Sequence, residues 1–401
     1  MASQLGPAEA WDRTVKAAVA EQVSAVLLAG DVVDRDDDFF EAYRTLERGV
    51  AELTEAGIQV IGVAGNHDVK VLPRLNEQIE AFRLLGANGV WEACHIGGEG
   101  AGGVTVWGWS FREAKATVSP LPEKPFERAP GINLGLLHCD WNAGEGSPYA
   151  PVAQRELDAA GLDGWLLGHI HKPDVLSVER LNGYLGSLTG MDRGETGDHG
   201  PWLITASDGR ITDVTQLPIA PLRWKALDVD LEGISEPNQA QDRVLAKLRR
   251  LDAELSLRPS PPRALGLTIT LSGRTELGQQ AIETFSVEDR QSIDLGADAR
   301  HYFIVKLELN TRPVIDLEEL AKRPDPAGLL AARLLWLDRE EGDAERDRLL
   351  AAAGKALREE SDKATWQGLG LAEDIADPVD WLRRAGYRAL DTLLAQEAEK
   401  N

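Results

Sequence analysis

From Trp11 to about Ala220, short apolar runs alternate with segments whose apolar residues recur at helical spacing, and this alternation predicts an α/β layered domain. The spacing predicts a helix over 15–23, a strand over 25–29 that runs into Gly30 and Asp31, a helix over 39–56 and a strand over 58–64 that runs into Gly65. Apolar runs at 103–110, 132–137, 164–167 and 202–206 continue the pattern with fewer helices, so a two-sheet sandwich flanked by helices is expected. Pro218 and Pro221 mark a linker, after which the texture changes. A strand at 224–231, a helix at 239–255 and strands at 265–271 and 302–309 predict a small α+β module. Beyond Pro313 the chain reads as charged helices, clearest at 329–337 and 344–358, which must dock on a neighbour or a partner to bury much surface. The expected domains are therefore 1–221, 222–312 and 313–401.

Composition narrows the classes. Of 401 residues, 43% are hydrophobic and 27% charged, the profile of a soluble globular chain. No apolar run approaches the length that crosses a bilayer, and Met1 to Ala10 lacks the basic-then-apolar order of a secretory signal. Two cysteines, Cys94 and Cys139, do not make a disulfide framework, so a cytoplasmic location without membrane attachment is expected. The formal net charge of -23 opposes non-specific binding to nucleic acid, which depends on Lys and Arg neutralising backbone phosphates. That is a global statement, since divalent cations reverse the sign of charge inside a site.

Four motifs place candidate ligands directly after apolar runs: Gly30-Asp31-Val32-Val33-Asp34-Arg35, Gly65-Asn66-His67-Asp68, Leu136-Leu137-His138 and Gly168-His169-Ile170-His171. Groups at the carboxyl ends of strands converge on one crevice, and the glycines let the backbone turn close to an ion. Taken singly each motif is weak: Gly-Asp is commonly a turn, a lone histidine such as His138 is commonly structural, and Gly-Asn-His-Asp also suits a helix cap. His169 and His171, two residues apart, share one face of an extended segment. Carboxylate, amide and imidazole together suit Mn, Fe or Zn.

In order, spacing and strand context the four motifs resemble the calcineurin-like metallophosphoesterase superfamily over about the first half of the chain. The resemblance implies two divalent metals, with manganese expected and Fe or Zn as alternatives. It implies Asp31 as the bridging ligand, Asn66, His138 and His169 completing the second metal, and His171 reaching the first. His67 would act on the leaving oxygen, oriented by Asp34, and Arg35 would hold a phosphate oxygen, although a plain surface arginine is an equal alternative. The superfamily opens with a strand ending in Asp-x-His, and nothing before Asp31 matches it: residues 1–24 contain no histidine, and Asp12 lies in a helical pattern. The expectation is that this strand precedes the given sequence and that the first metal site is incomplete without it; the alternative is true loss of that site.

The segments Asn133 to Asp140, Pro148 to Pro151, Trp165 to Lys172, Gly186-Ser187, Arg193-Gly194-Glu195 and Gly200 look most like the DNA-repair exonuclease branch, which includes the SbcCD nuclease subunit and YhaO-like proteins. The resemblance implies manganese-dependent nuclease action on DNA ends, a cap at 222–312 that restricts access of DNA, a helical tail that engages an SbcC-like coiled-coil ATPase, and a possible homodimer. A small-molecule phosphatase or cyclic-nucleotide phosphodiesterase shares the same site and suits an acidic surface better, and a scaffold with an impaired site is the third reading. His95, His199 and His301 lie outside the motifs and read as surface or packing residues. Cys139 has no free base beside it, and the tryptophans, Trp107, Trp109, Trp141 and Trp165 among them, read as core before base-stacking groups.

Overall fold

The computed structural model describes residues 5–35, 38–97, 103–143, 146–293, 295–296, 300–361 and 378–398. They form two compact units, Met1–Thr311 and Arg312–Asn401. The first contains an α/β sandwich of two facing sheets. One sheet is parallel, with Gln59–Val63 between Ala25–Ala29 and Phe82–Leu84. The other runs in the order Asn182–Tyr184, Gly164–Gly168, Ile132–His138, Val104–Trp109 and Glu92–Ile96, and only the last strand is antiparallel to its neighbour.

Two-residue alternation along the strands builds the layers. Ala25, Leu27 and Ala29 with Ile61 and Val63 face Leu134, Leu136 and Leu166 between the sheets. Val26, Leu28, Val60 and Ala64 point the other way, onto the helices Pro7–Ala20, Phe39–Glu55 and Val71–Gln78. On the outer face of the second sheet, Leu137, Trp165 and Leu167 pack with Leu157 and Phe111. Trp165 is fully buried over Gly135, where an added Cβ would lie 2.1 Å from the indole, so this tryptophan is core and not a base-stacking surface.

The first helix starts and stops earlier than the expected 15–23. Pro7 opens it at a position where a missing N–H costs nothing, and Gln22, at φ 53, lies beyond its end at Ala20. A hairpin, Trp202–Ser207 with Arg210–Gln216, follows the second sheet.

Residues 222–309 have a separate core. Leu222–Asp230 and Ala264–Arg274 pair in parallel over nine residues, His301–Arg312 completes the sheet, and Pro237–Ser256 covers it with Ala240, Val244, Leu248 and Leu255. That helix leaves Arg243, Lys247, Arg249 and Arg250 exposed. The second unit is helical: Pro326–Trp336, Ala344–Ser361 and Pro378–Ala398 pack through Ala331, Leu334, Leu337 and Leu390, with short Leu317–Leu320 beside them.

Candidate metal centre

Two strands of each sheet end at one point. Ala25–Ala29 delivers Asp31, Gln59–Val63 delivers Asn66 and His67, Ile132–His138 ends on His138, and Gly164–Gly168 delivers His169. The backbone is forced there. Asp31 has φ 51 and His169 φ 113, conformations that L-residues adopt only when their surroundings impose them.

Glycines permit the approach. A Cβ on Gly65 would lie 2.1 Å from Asp31 Oδ1, and one on Gly168 would lie 1.9 Å from Ala29 O and 2.8 Å from His138 Nδ1.

Among the described residues, Asp31, His138 and His169 bring a carboxylate oxygen and two ring nitrogens within 4.8 Å of one another. His138 is buried, and its Nδ1 lies 3.0 Å from the Ala29 carbonyl, an acceptor, so Nδ1 carries the hydrogen. Nε2 is then a bare lone pair, 3.1 Å from Asn66 Oδ1 and 3.2 Å from Asp31 Oδ2. With a neutral His138 three acceptor atoms converge, an arrangement that a cation satisfies. The donor set therefore fits a divalent metal held by Asp31, Asn66, His138 and His169.

Asp68, fully buried, locks the two acidic loops together. Its carboxylate accepts from Val32 N and Gly65 N, both at 2.7 Å, and the His67 N–H donates to Asp31 Oδ1 at 3.0 Å. Burial, together with the nearby charge of Asp31, pushes the Asp68 carboxyl up to about 6. Burial pushes Asp31 upward as well, but the adjoining His138 and His67 outweigh that and hold it below the ordinary carboxylate range. Burial and the neighbouring His138 lower His169, which favours the neutral, ligating imidazole.

Residues 4–173 match the family model described as calcineurin-like phosphoesterase. Over that segment the chain is similar to the calcineurin-like phosphoesterases.

It is 29% identical over 253 residues to the metallophosphoesterase YhaO of Bacillus subtilis (strain 168), covering 61% of each protein. Over 291 residues it is 25% identical to the DNA double-strand break repair protein Mre11 of Haloferax volcanii, covering 70% of this chain and 59% of that protein. The alignments thus take in about three fifths of each relative's length. A solved structure, TT1561 of Thermus thermophilus, aligns with 49% of this chain and 88% of its own at 16% identity and a TM-score of 0.30, too distant to inform the site.

The other expected residues stand around the cluster. His67 is half exposed; its Nδ1 lies 3.2 Å from the main-chain oxygen of Asp34 and 3.5 Å from that residue's carboxylate, so the carbonyl is the nearer orienting group. Arg35 is exposed beside Asp34, with Nε 3.6 Å from its carboxylate. His171 lies outside the group of three, half exposed, with Nδ1 2.8 Å from Glu195.

His199 is fully buried and hydrogen-bonded, His95 and His301 keep to strands away from the cluster, and both cysteines are buried and free. Burial, with Asp140 beside it, pushes the Cys139 thiol far above its ordinary range, which removes it as a nucleophile. Asp68 and Glu195 were the supporting residues hardest to see in advance. Asp68 had a signal in its place next to Gly65-Asn66-His67, whereas nothing in local spacing pointed from His171 to Glu195. Among the described residues no helix is long and apolar enough to cross a membrane.

Proposed function

We propose that this chain is a metal-dependent phosphodiesterase that cleaves DNA at its ends. The observation that carries the proposal is the meeting of Asp31 Oδ2, Asn66 Oδ1 and the bare Nε2 of His138 at the ends of strands from two sheets. A divalent ion there, manganese by preference, supplies a Lewis acid for a phosphoryl oxygen and makes water more acidic. Around it the chain's own groups divide the work. Asp31, Asn66, His138 and His169 hold position, and Asp68 keeps the two loops in register. Asp34 holds the hydrogen of His67 on Nδ1, so Nε2 is the atom that carries a proton to the departing oxygen. Arg35 is assigned to a phosphate oxygen, and His171 to a first-metal position that needs further donors to be complete.

DNA as substrate is supported by the similarity to a protein named for double-strand break repair and by exposed Arg243, Lys247, Arg249 and Arg250 on one helix. On this proposal residues 1–221 are catalytic, 222–312 form a cap over the substrate path, and 313–401 engage an SbcC-like coiled-coil ATPase or a second copy. A net charge of -23 favours a second reading, a phosphatase or phosphodiesterase of small molecules.

The test offers linear duplex DNA and bis(p-nitrophenyl) phosphate to the manganese-loaded chain. Loss of DNA ends, reduced about 10²- to 10⁴-fold in His67→Ala with metal content unchanged, is the expected result. Cleavage of the small ester alone would establish the second reading, and cleavage of neither would leave a scaffold.

A further inference from the structure

The residues that hold His171 form a closed ring of contacts. Glu195 Oε1 lies 2.8 Å from His171 Nδ1, while Oε2 of the same carboxylate accepts the main-chain N–H of Met191 at 2.7 Å. The carbonyl of Glu195 lies 3.1 Å from Nε2 of His199, whose side chain is wholly buried. Nδ1 of His199 lies 3.1 Å from the Ser187 carbonyl, and the Ser187 N–H donates to the carbonyl of His171 at 2.8 Å. The ring thus runs His171, Glu195, His199, Ser187 and back to His171. With both oxygens engaged and its main chain beside a buried imidazole, the Glu195 carboxylate is set facing His171 Nδ1. A carboxylate only accepts hydrogen bonds, so the hydrogen of a neutral His171 is confined to Nδ1 and Nε2 is left as a bare lone pair.

We propose that Glu195 is a positioning residue that fixes the tautomer of His171 and so makes its Nε2 available as a ligand beside the Asp31 cluster. The inference rests on the metal-centre reading of His171 and deepens it. Glu195→Gln is the informative change because it keeps the shape and alters the hydrogen count. A carboxamide has one accepting atom, whereas two donors, His171 Nδ1–H and Met191 N–H, ask for acceptance. If the oxygen stays with Met191, the amide N–H₂ faces Nδ1 and drives the hydrogen of His171 to Nε2, which abolishes ligation from that atom.

The experiment records long-range ¹H–¹⁵N correlations of the seven histidines in the metal-free chain, with His171 assigned by comparison with His171→Ala. Calorimetric titration with Mn²⁺ follows for the wild type and for Glu195→Gln. The expected result is a single Nδ1–H tautomer at His171 in the wild type, a shift toward Nε2–H in the variant, and Mn²⁺ affinity lower by about 10- to 100-fold. A wild-type His171 in the Nε2–H form overturns the proposal even if the variant does not fold. So does a variant that keeps the wild-type tautomer and affinity. A wild type that binds no Mn²⁺ yet shows the Nδ1–H form refutes the metal-centre reading alone, and the orienting role of Glu195 then stands.

Discussion

Gly168→Ala places a single methyl group where the two sheets meet. An added Cβ would lie 1.9 Å from the Ala29 carbonyl oxygen, 2.9 Å from its carbon and 2.8 Å from His138 Nδ1. Against a non-bonded separation of roughly 3.5 Å, the shortfall at the oxygen is about 1.6 Å, and two of the three atoms are backbone of a packed strand that has little room to retreat. Overpacking of this kind costs about 3 kcal/mol, which for a unit of this size lowers the melting temperature by on the order of 6 °C. The same methyl also wedges open the bond that keeps the His138 hydrogen on Nδ1, so Mn²⁺ affinity falls by roughly 10- to 100-fold. Gly57→Ala is the control. It has φ 77 and open space around the added atom, so it costs about 1 kcal/mol of backbone strain and leaves metal binding alone. The assays are a thermal melt without metal and a calorimetric Mn²⁺ titration. A Gly168→Ala protein that binds Mn²⁺ as the wild type does would falsify the placement of His138 against Ala29.

His169→Ala removes one of four donors, and metal analysis of the purified protein should show clear loss; full retention would take His169 out of the centre. Charge reversal at Arg249 and Arg250 should weaken binding to duplex DNA most at low salt, measured by anisotropy, and equal binding would leave that helix face without a role in substrate capture. Burial above all holds the phenols of Tyr184 and Tyr302 well above the ordinary tyrosine range, with the Asp252 carboxylate adding to the shift at Tyr302. The native state then keeps protons that the unfolded chain releases, so this stabilisation is intact below about pH 10 and declines as pH rises beyond it. Urea melts from pH 8 to 11 check the sign, and stability that rises across this range contradicts it.

The strands that carry the site were legible because buried parallel strands are nearly continuous apolar runs; Ala25–Ala29 and Ile132–His138 match their expected spans to within a residue. Asp31, His138 and His169 were legible for a related reason, since each directly follows such a run. Short pieces such as Phe82–Leu84, Asn182–Tyr184 and Gln154–Ala159 were not, because three to six residues carry too little periodicity to separate from a loop. Helix ends misled where backbone conformation decided them, as at Gln22. The partners of the site residues were the least accessible. That the Asp34 carbonyl lies nearer His67 than the carboxylate, and that Glu195 faces His171, depend on how loops fold back in three dimensions.

Asp31 and Asn66 follow strands of one sheet, His138 ends a strand of the other, and His169 follows the next strand of that sheet. An ion shared by all four would therefore cross-link the two sheets at their strand ends, through ligands that the unfolded chain scatters. Its contribution scales with free metal as RT ln(1 + [M]/Kd), about 2.7 kcal/mol at a hundredfold excess over Kd. On the proposed function, chelation should thus do more than stop turnover. It should let the sheets part more often and expose the strand ends to proteolysis, so that the supply of metal sets how long each molecule survives as well as how fast it works.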